Sequence, residues 1–350
     1  MADLQTPSCP LPHSASSVIR LGHGSGGSMS SNLIESVFMP RLGNEVLQCL
    51  DDAAQVDLQS GSLAITTDSY VVSPIFFPGG DIGSLSVHGT INDLAMRGAR
   101  PLCITAAFIL EEGLQIEELS RVLDSMAAAA RQAAISVVAA DTKVVGKGAA
   151  DKIFITTTGI GLIEHQPAPA ANRAREGDCI IVSGDIGRHG MAIMSRREGI
   201  DLETDILSDS AALHKIVQAV MDKYAESVHC MRDVTRGGLA SVLNEIAEAS
   251  RVGIEINESE IPAHQQVSAV CELLGLDPLY VACEGRFVLI AEARVAEELL
   301  TIMKGFPDSQ DCRIIGKVIN APGPRVVLRS KIGGNRILSK LSGEQLPRIC

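Results

Sequence analysis

Apolar residues recur along this chain with two spacings, one helical and one alternating, and the switches between them set out the elements. Leu33, Ile34, Val37 and Phe38 fall at helical spacing after a run of glycine and serine and predict an amphipathic helix. The stretch SLAITTDSYVVSPIFF is β-rich and brings Asp68 to a strand end, whereas VHGTINDLAMRGARPL predicts a helix starting near Ser86 and carrying Asn92 and Asp93. A long helix with close-packing alanines is predicted from Ile116 to about Ala134, followed by the strands ISVVAADTKVV and DKIFITTTGIGLI. The segment EHQPAPAANRAREGD, rich in Ala, Pro and charge, interrupts the pattern as a domain boundary would. Beyond it, CIIVSG reads as a strand that passes through Gly184–Gly190 into a helix. HCMRDVTRGGLASVLNEIAEAS reads as strand, turn and helix, and helices surround Val267–Leu274. Glu284 then stands at a strand start, CRIIGKVI and RVVLRS close the domain, and residues from about Lys331 form an arm ending in LSKLSGEQLPRIC.

Composition narrows the function classes. A length of 350 residues accommodates two domains, and 46% hydrophobic residues supply their cores. With no Trp, three Tyr and a net charge of −12, the chain has neither the aromatic platforms nor the cationic surface that nucleic acids require. Nine cysteines are scattered without a CxxC pair, mostly in apolar runs, and read as small buried hydrophobes rather than zinc ligands or a disulfide framework. No secretory leader and no 18-residue apolar stretch is present, which leads to the expectation of a reduced, cytoplasmic protein without a membrane partner. Residues 1–18, rich in Pro and Ser, are expected to be disordered.

The candidate chemistry is anionic and phosphate-directed. Gly24, Ser25, Gly26 and Gly27 precede a helix, an arrangement that either cradles phosphate with backbone N–H groups or serves as a flexible connector. Asp51, Asp52, Asp68 and Asp93 are either turn and cap residues or ligands for Mg²⁺, which is commonly shared between carboxylates and nucleotide phosphates. Asp141 and Lys143 at a strand end, with Lys147 in the loop beyond, make either a salt bridge or a nucleotide contact with proton-handling capacity. His189, in a glycine-rich loop, reads as a turn or phosphate-contact residue outside the chemical step. Cys350 reads either as an accidental terminal cysteine or as the thiol of a substrate-carrying arm.

The runs GHGSGG, DDAA, TTDS, GTINDLAMRGARP and DTKVV resemble the ATP-dependent superfamily that includes aminoimidazole ribonucleotide synthetase, selenophosphate synthetase and thiamine-monophosphate kinase. With FFPGGDIG, FILEEG, RDVTRGGL, CELLGLDPL and the ending PRIC, the chain from about Leu21 to Cys350 is similar to the HypE family of hydrogenase maturation factors. The resemblance implies an α+β fold of two PurM-like αβ domains, at 19–165 and 172–330, with the first domains of two subunits pairing into a barrel-like homodimer and a mobile tail at 331–350. It implies ATP and Mg²⁺ as cofactors, Asn92, Arg236 and the residues above as nucleotide contacts, and Asp233 as a further Mg²⁺ ligand. It also implies a reaction, the ATP-dependent dehydration of a carbamoyl group on Cys350 to a thiocyanate, with Glu284 and Lys143 acting near the arriving thiol. A HypF-type carbamoyltransferase would be the donor and a HypC–HypD complex the cyanide acceptor. A superfamily enzyme acting on a free small molecule and a non-catalytic carbamoyl carrier are the alternatives.

Overall fold

The computed structural model of the chain describes residues 17–24, 32–45, 61–200, 202, 206–340, 346 and 349–350. Its first layer grows from strand β1 (Ser62–Tyr70), in which Ala64 and Tyr70 point inward while Leu63 and Ile65 point out. The helix expected at Leu33–Phe38 is a wide turn, Ile34–Phe38, continued by α1 (Met39–Leu42), and it buries Val37, Phe38 and Leu42. Phe38 meets Phe108 edge-on at 5.3 Å between ring centroids.

A small hairpin, β2 (Phe76–Phe77) and β3 (Gly80–Asp81), feeds α2 (Ile82–Met96). The helix begins at Ile82, earlier than the Ser86 expected, because Asp81 caps it. Its Oδ1 accepts from the N–H groups of Gly83 at 2.7 Å and Ser84 at 3.1 Å, and Ser84 Oγ accepts in return from the Asp81 N–H. Helix α2 is apolar or small on nearly every side and is accordingly buried on nearly every side. It lies on the first sheet and also touches the helix His214–Tyr224 and the strand Val228–Asp233 of the second domain.

Strand β4 (Ala99–Glu111), helix α3 (Ile116–Gln132), β5 (Ser136–Val145) and β6 (Ile153–Ile163) complete the first domain in the strand order β1-β6-β4-β5. Only β4 and β5 run parallel, joined through α3 as a crossover requires. Helices cover one face. The other is open and carries Leu63, Ile65 and Ile109, of which Ile65 is 67% exposed. Among the described residues the sheet does not close into a barrel within one chain.

The second domain comprises β7 (Cys179–Val182), α4 (Arg188–Arg197), α5 (His214–Tyr224), β8 (Val228–Asp233), α6 (Gly238–Ser250), β9 (Gly253–Asn257), α7 (Gln265–Leu274), β10 (Phe287–Ala291), α8 (Ala296–Lys304), β11 (Arg313–Ile319), β12 (Arg325–Arg329) and β13 (Asn335–Leu338). Its sheet runs β13-β12-β9-β11-β7-β10-β8. The arm expected from Lys331 therefore begins later. Asn335–Leu338 pairs with β12 and buries Leu338, because one more antiparallel strand satisfies backbone groups that a free arm would leave to water. Six of the seven described cysteines are buried and all seven are free thiols. No described helix is long and apolar enough to cross a membrane.

Candidate functional site

A cavity of about 770 Å³ opens between the two domains. Strand β1 brings Asp68 to it, α2 brings Asp93, β8 ends in it at Asp233, and the loop before β10 contributes Glu284. The turn after β8 runs Thr235-Arg236-Gly237 into α6, where Gly237 and Gly238 hold φ at +74° and +61°. A Cβ on Gly238 would sit 2.6 Å from the Leu279 carbonyl oxygen, so glycine is what lets the helix start there. The open N-terminus of α6, with Arg236 beside it, offers N–H groups and a positive dipole end to an anion in the cavity. Gly89 works similarly on the opposite wall. Any side chain there would collide with the Tyr70 hydroxyl, 2.3 Å from the Cβ position.

The carboxylates crowd one another. Burial, then the charge of Asp93, pushes Asp68 up to about 6, and burial with the same neighbour pushes Asp233 up to about 7. Tyr70 donates from its hydroxyl to Asp68 at 3.3 Å, Thr66 donates to Asp93 at 2.6 Å, and the charges of Arg236 near Asp68 and Arg232 near Asp233 offset the crowding only in part. Glu284 is fully buried rather than an exposed strand-end acid. Burial, then Asp233 and Asp209, holds its carboxyl well above the usual range, and its Oε1 has no hydrogen-bond partner. This donor set fits a hard cation: oxygen-only ligands, excess negative charge, and an opening for phosphate oxygens. Asp68, Asp93 and Asp233 share the cavity without closing to single-ion spacing. Among the described residues the group that does so is Asp185, His264 and Asp311, within 4.8 Å, but Asp185 is already ion-paired to Arg286 at 2.8 Å and Arg188 at 2.7 Å.

Cys350 lies in the same cavity. Its backbone oxygen accepts from the Val71 N–H at 3.3 Å, Ile349 is buried, and His189 Nε2 donates to the Ile349 carbonyl at 2.6 Å. Burial, then the charge of Glu284, pushes the Cys350 thiol up to about 12, so the seated sulfur is a thiol and not a thiolate.

Other expected residues lie elsewhere. Asn92 is buried and used up in the frame: its amide donates to the carbonyls of Ala211 at 2.9 Å and Glu284 at 3.2 Å, and its oxygen accepts from Leu213 N–H at 2.8 Å. Asp141 and Lys143 sit opposite Ala107 and Ile109 in register, on the open face of the first sheet, and Lys147 is exposed in the loop beyond. Within one chain Lys143 is thus not brought to Glu284. Gly24 ends a short turn that packs on β5, away from the cavity. Ser25, Gly26, Gly27, Asp51 and Asp52 fall outside the described residues.

Asp209 joins the site without having been among the expected residues: its Oδ1 accepts from the Glu284 N–H at 2.9 Å while its Oδ2 is buried without a partner. The triplet Ser208-Asp209-Ser210 has the composition of an ordinary turn, and nothing in it announces a buried role. His189, expected as a turn or phosphate-contact residue, instead meets the Ile349 carbonyl, a contact with no signal in the sequence.

The chain matches the family models for AIR synthase related protein, N-terminal domain, over residues 50–163, and C-terminal domain, over residues 175–329. It is 50% identical over 332 residues to carbamoyl dehydratase HypE of Azotobacter vinelandii, covering 95% of this chain and 97% of that one. Among solved structures, hydrogenase maturation protein HypE in complex with ATP superposes with a TM-score of 0.91 at 47% identity, covering 94% of this chain and 99% of the other. A HypE–HypF complex matches with a TM-score of 0.78 at 45% identity, covering 88% and 99%.

Proposed function

Because the chain belongs to the HypE family of carbamoyl dehydratases, we propose that it uses ATP to dehydrate a carbamoyl group carried as an S-carboxamide on Cys350. The product is a thiocyanate whose cyanide becomes a ligand of iron in NiFe-hydrogenase maturation. The observation that carries this reading is the seat of Cys350, whose thiol shares one cavity with Glu284, the acidic group and the open end of α6.

The chemistry follows from what an amide lacks, a good leaving group. The carboxamide oxygen attacks the γ-phosphorus of ATP, forming an O–P bond as ADP departs. Glu284 takes a proton from the carboxamide nitrogen. The second N–H proton passes to the departing phosphate as the C–O bond breaks, so the oxygen leaves as hydrogen phosphate and S–C≡N remains. Arg236 and the N-terminus of α6 face the phosphates. Asp68, Asp93 and Asp233 would hold Mg²⁺, with Asp51 and Asp52 as further candidates. Bound there, Mg²⁺ supplies positive charge to phosphate oxygens and, by offsetting the Asp233 charge next to Glu284, favours the ionised base.

A seated thiol held neutral by burial is a poor nucleophile, so loading by a HypF-type carbamoyltransferase takes place with Cys350 out of the cavity, and a HypC–HypD complex accepts the cyanide afterwards. The HypE–HypF complex among the similar structures supports the first partner. We further read the protein as a homodimer joined through the open face of the first sheet, because Leu63, Ile65 and Ile109 expose apolar side chains there. Asp141 and Lys143 stand on the same face and reach the chemistry only across that interface.

The test is Cys350→Ala, incubated with a carbamoyl donor and ATP. Loss of every trace of carbamoylation, with nucleotide binding retained, is the expected outcome, and a variant that is still modified overturns the assignment.

A further inference from the structure

Helix α4 opens with Gly187 at φ +84°, and His189 is its second residue. A Cβ on Gly190 would lie 2.5 Å from Val281 Cγ1, and the Gly190 N–H donates to the Ala282 carbonyl at 3.1 Å. The first turn of α4 is thereby pressed onto the loop that carries Glu284. His189 itself is fully buried, edge-on to Phe77 at 5.5 Å.

Its hydrogen bonds fix its tautomer. The Ile349 carbonyl can only accept, so Nε2 carries the proton, and Nδ1 accepts from the Ser208 hydroxyl at 2.8 Å. Ser208 Oγ accepts in turn from the Ser210 N–H at 3.1 Å. The strap that holds this relay is pinned at both ends. Its Ser208 N–H donates to Pro78 O at 2.8 Å, and its Ala211 and Leu213 backbones are bonded to Asn92. Between them Asp209 accepts from the Glu284 N–H. One rigid segment therefore carries both the hydrogen-bond acceptor behind His189 and the group that fixes Glu284.

We propose that His189 is the positioning residue that seats Cys350, its Nε2–H latching the Ile349 carbonyl and the Ser208–Leu213 strap setting latch and Glu284 in one register. This rests on reading Cys350 as the substrate carrier, and it goes beyond that reading by assigning the seat to one hydrogen bond. Burial lowers the proton affinity of the imidazole, in the direction that a ring with one proton requires.

The test measures the seat and not the chemistry. A seated neutral thiol alkylates only after it leaves the cavity, so the rate at which iodoacetamide labels Cys350, followed on the peptide ending in that residue, reads the unseated fraction. His189→Leu removes the latch at similar volume, and His189→Gln returns an N–H near the Nε2 position. Labelling should quicken by about tenfold in the Leu variant, the scale of one lost hydrogen bond to a buried carbonyl, and return toward the parent rate in the Gln variant. Unchanged labelling in the Leu variant overturns the latch, as does a Gln variant as fast as Leu. Should circular dichroism show the Leu variant unfolded, Ser208→Ala decides: faster labelling supports the relay and a parent rate overturns it. Because alkylation needs neither ATP nor a carbamoyl group, the latch fails or stands separately from the proposed reaction.

Discussion

Glu284 concentrates the chemistry at the scale of single residues. It is buried with one oxygen unpartnered, and its neighbours are acids, so its proton affinity is high and responds to any cation among Asp68, Asp93 and Asp233. Glu284→Gln keeps the shape and the hydrogen-bonding capacity but cannot take a proton. Its dehydration rate in single-turnover assays should fall by roughly 10²–10⁴, with ATP affinity little changed; a rate within threefold of the parent, about the scatter of such effects, would exclude it as the base. The resemblance made Glu284, Asp233 and Cys350 legible as site candidates, and the fold brings all three to one cavity. Asp209 and Ser208 were not legible, since short polar triplets are common in turns and only burial reveals what they hold. The Lys143 partnership read from the same resemblance requires a second chain, which a sequence does not display.

Among the elements, α2 and the strap hold the cavity in shape. Helix α2 starts at Ile82, four residues before the expected Ser86, because the apolar pattern alone does not mark a first turn of small residues capped by Asp81. The strap clamps α2 through His88, whose Nδ1 lies 3.0 Å from Ser210 Oγ. Burial, then the charge of His214, pushes His88 down to about 4, and burial likewise lowers His214 to about 4. An unfolded histidine titrates near 6.5, so between these values the unfolded chain binds more protons than the folded one. Stability contributed by the neutral rings is present above about 6.5 and is lost as pH falls toward 4, on the order of 3 kcal/mol for His88 if fully expressed. Thermal unfolding midpoints should therefore drop between pH 7.5 and pH 5, and His88→Gln should show a smaller drop. An equal drop in the variant would remove His88 from the acid sensitivity.

In the whole molecule, two α+β halves share α2 and enclose the cavity between them, a division that the Ala- and Pro-rich stretch after β6 announced in the sequence. How the halves face each other was not legible, because it depends on contacts far apart in the chain, such as Asn92 with Ala211 and Glu284. The open face of the first sheet supplies the remaining prediction. Ile65→Glu places a charge where Ile65 is now 67% exposed beside Leu63 and Ile109. Light scattering on a sizing column should show a dimer for the parent and a monomer for the variant, and a variant that stays dimeric would move the interface elsewhere. Dehydration of the carbamoyl group while it is attached to Cys350 is read from the intact mass of S-carbamoylated protein with and without Mg²⁺ and ATP. ATP-dependent loss of one water, confined to the peptide ending in Cys350, is the expected result, and an unchanged mass would exclude the proposed reaction.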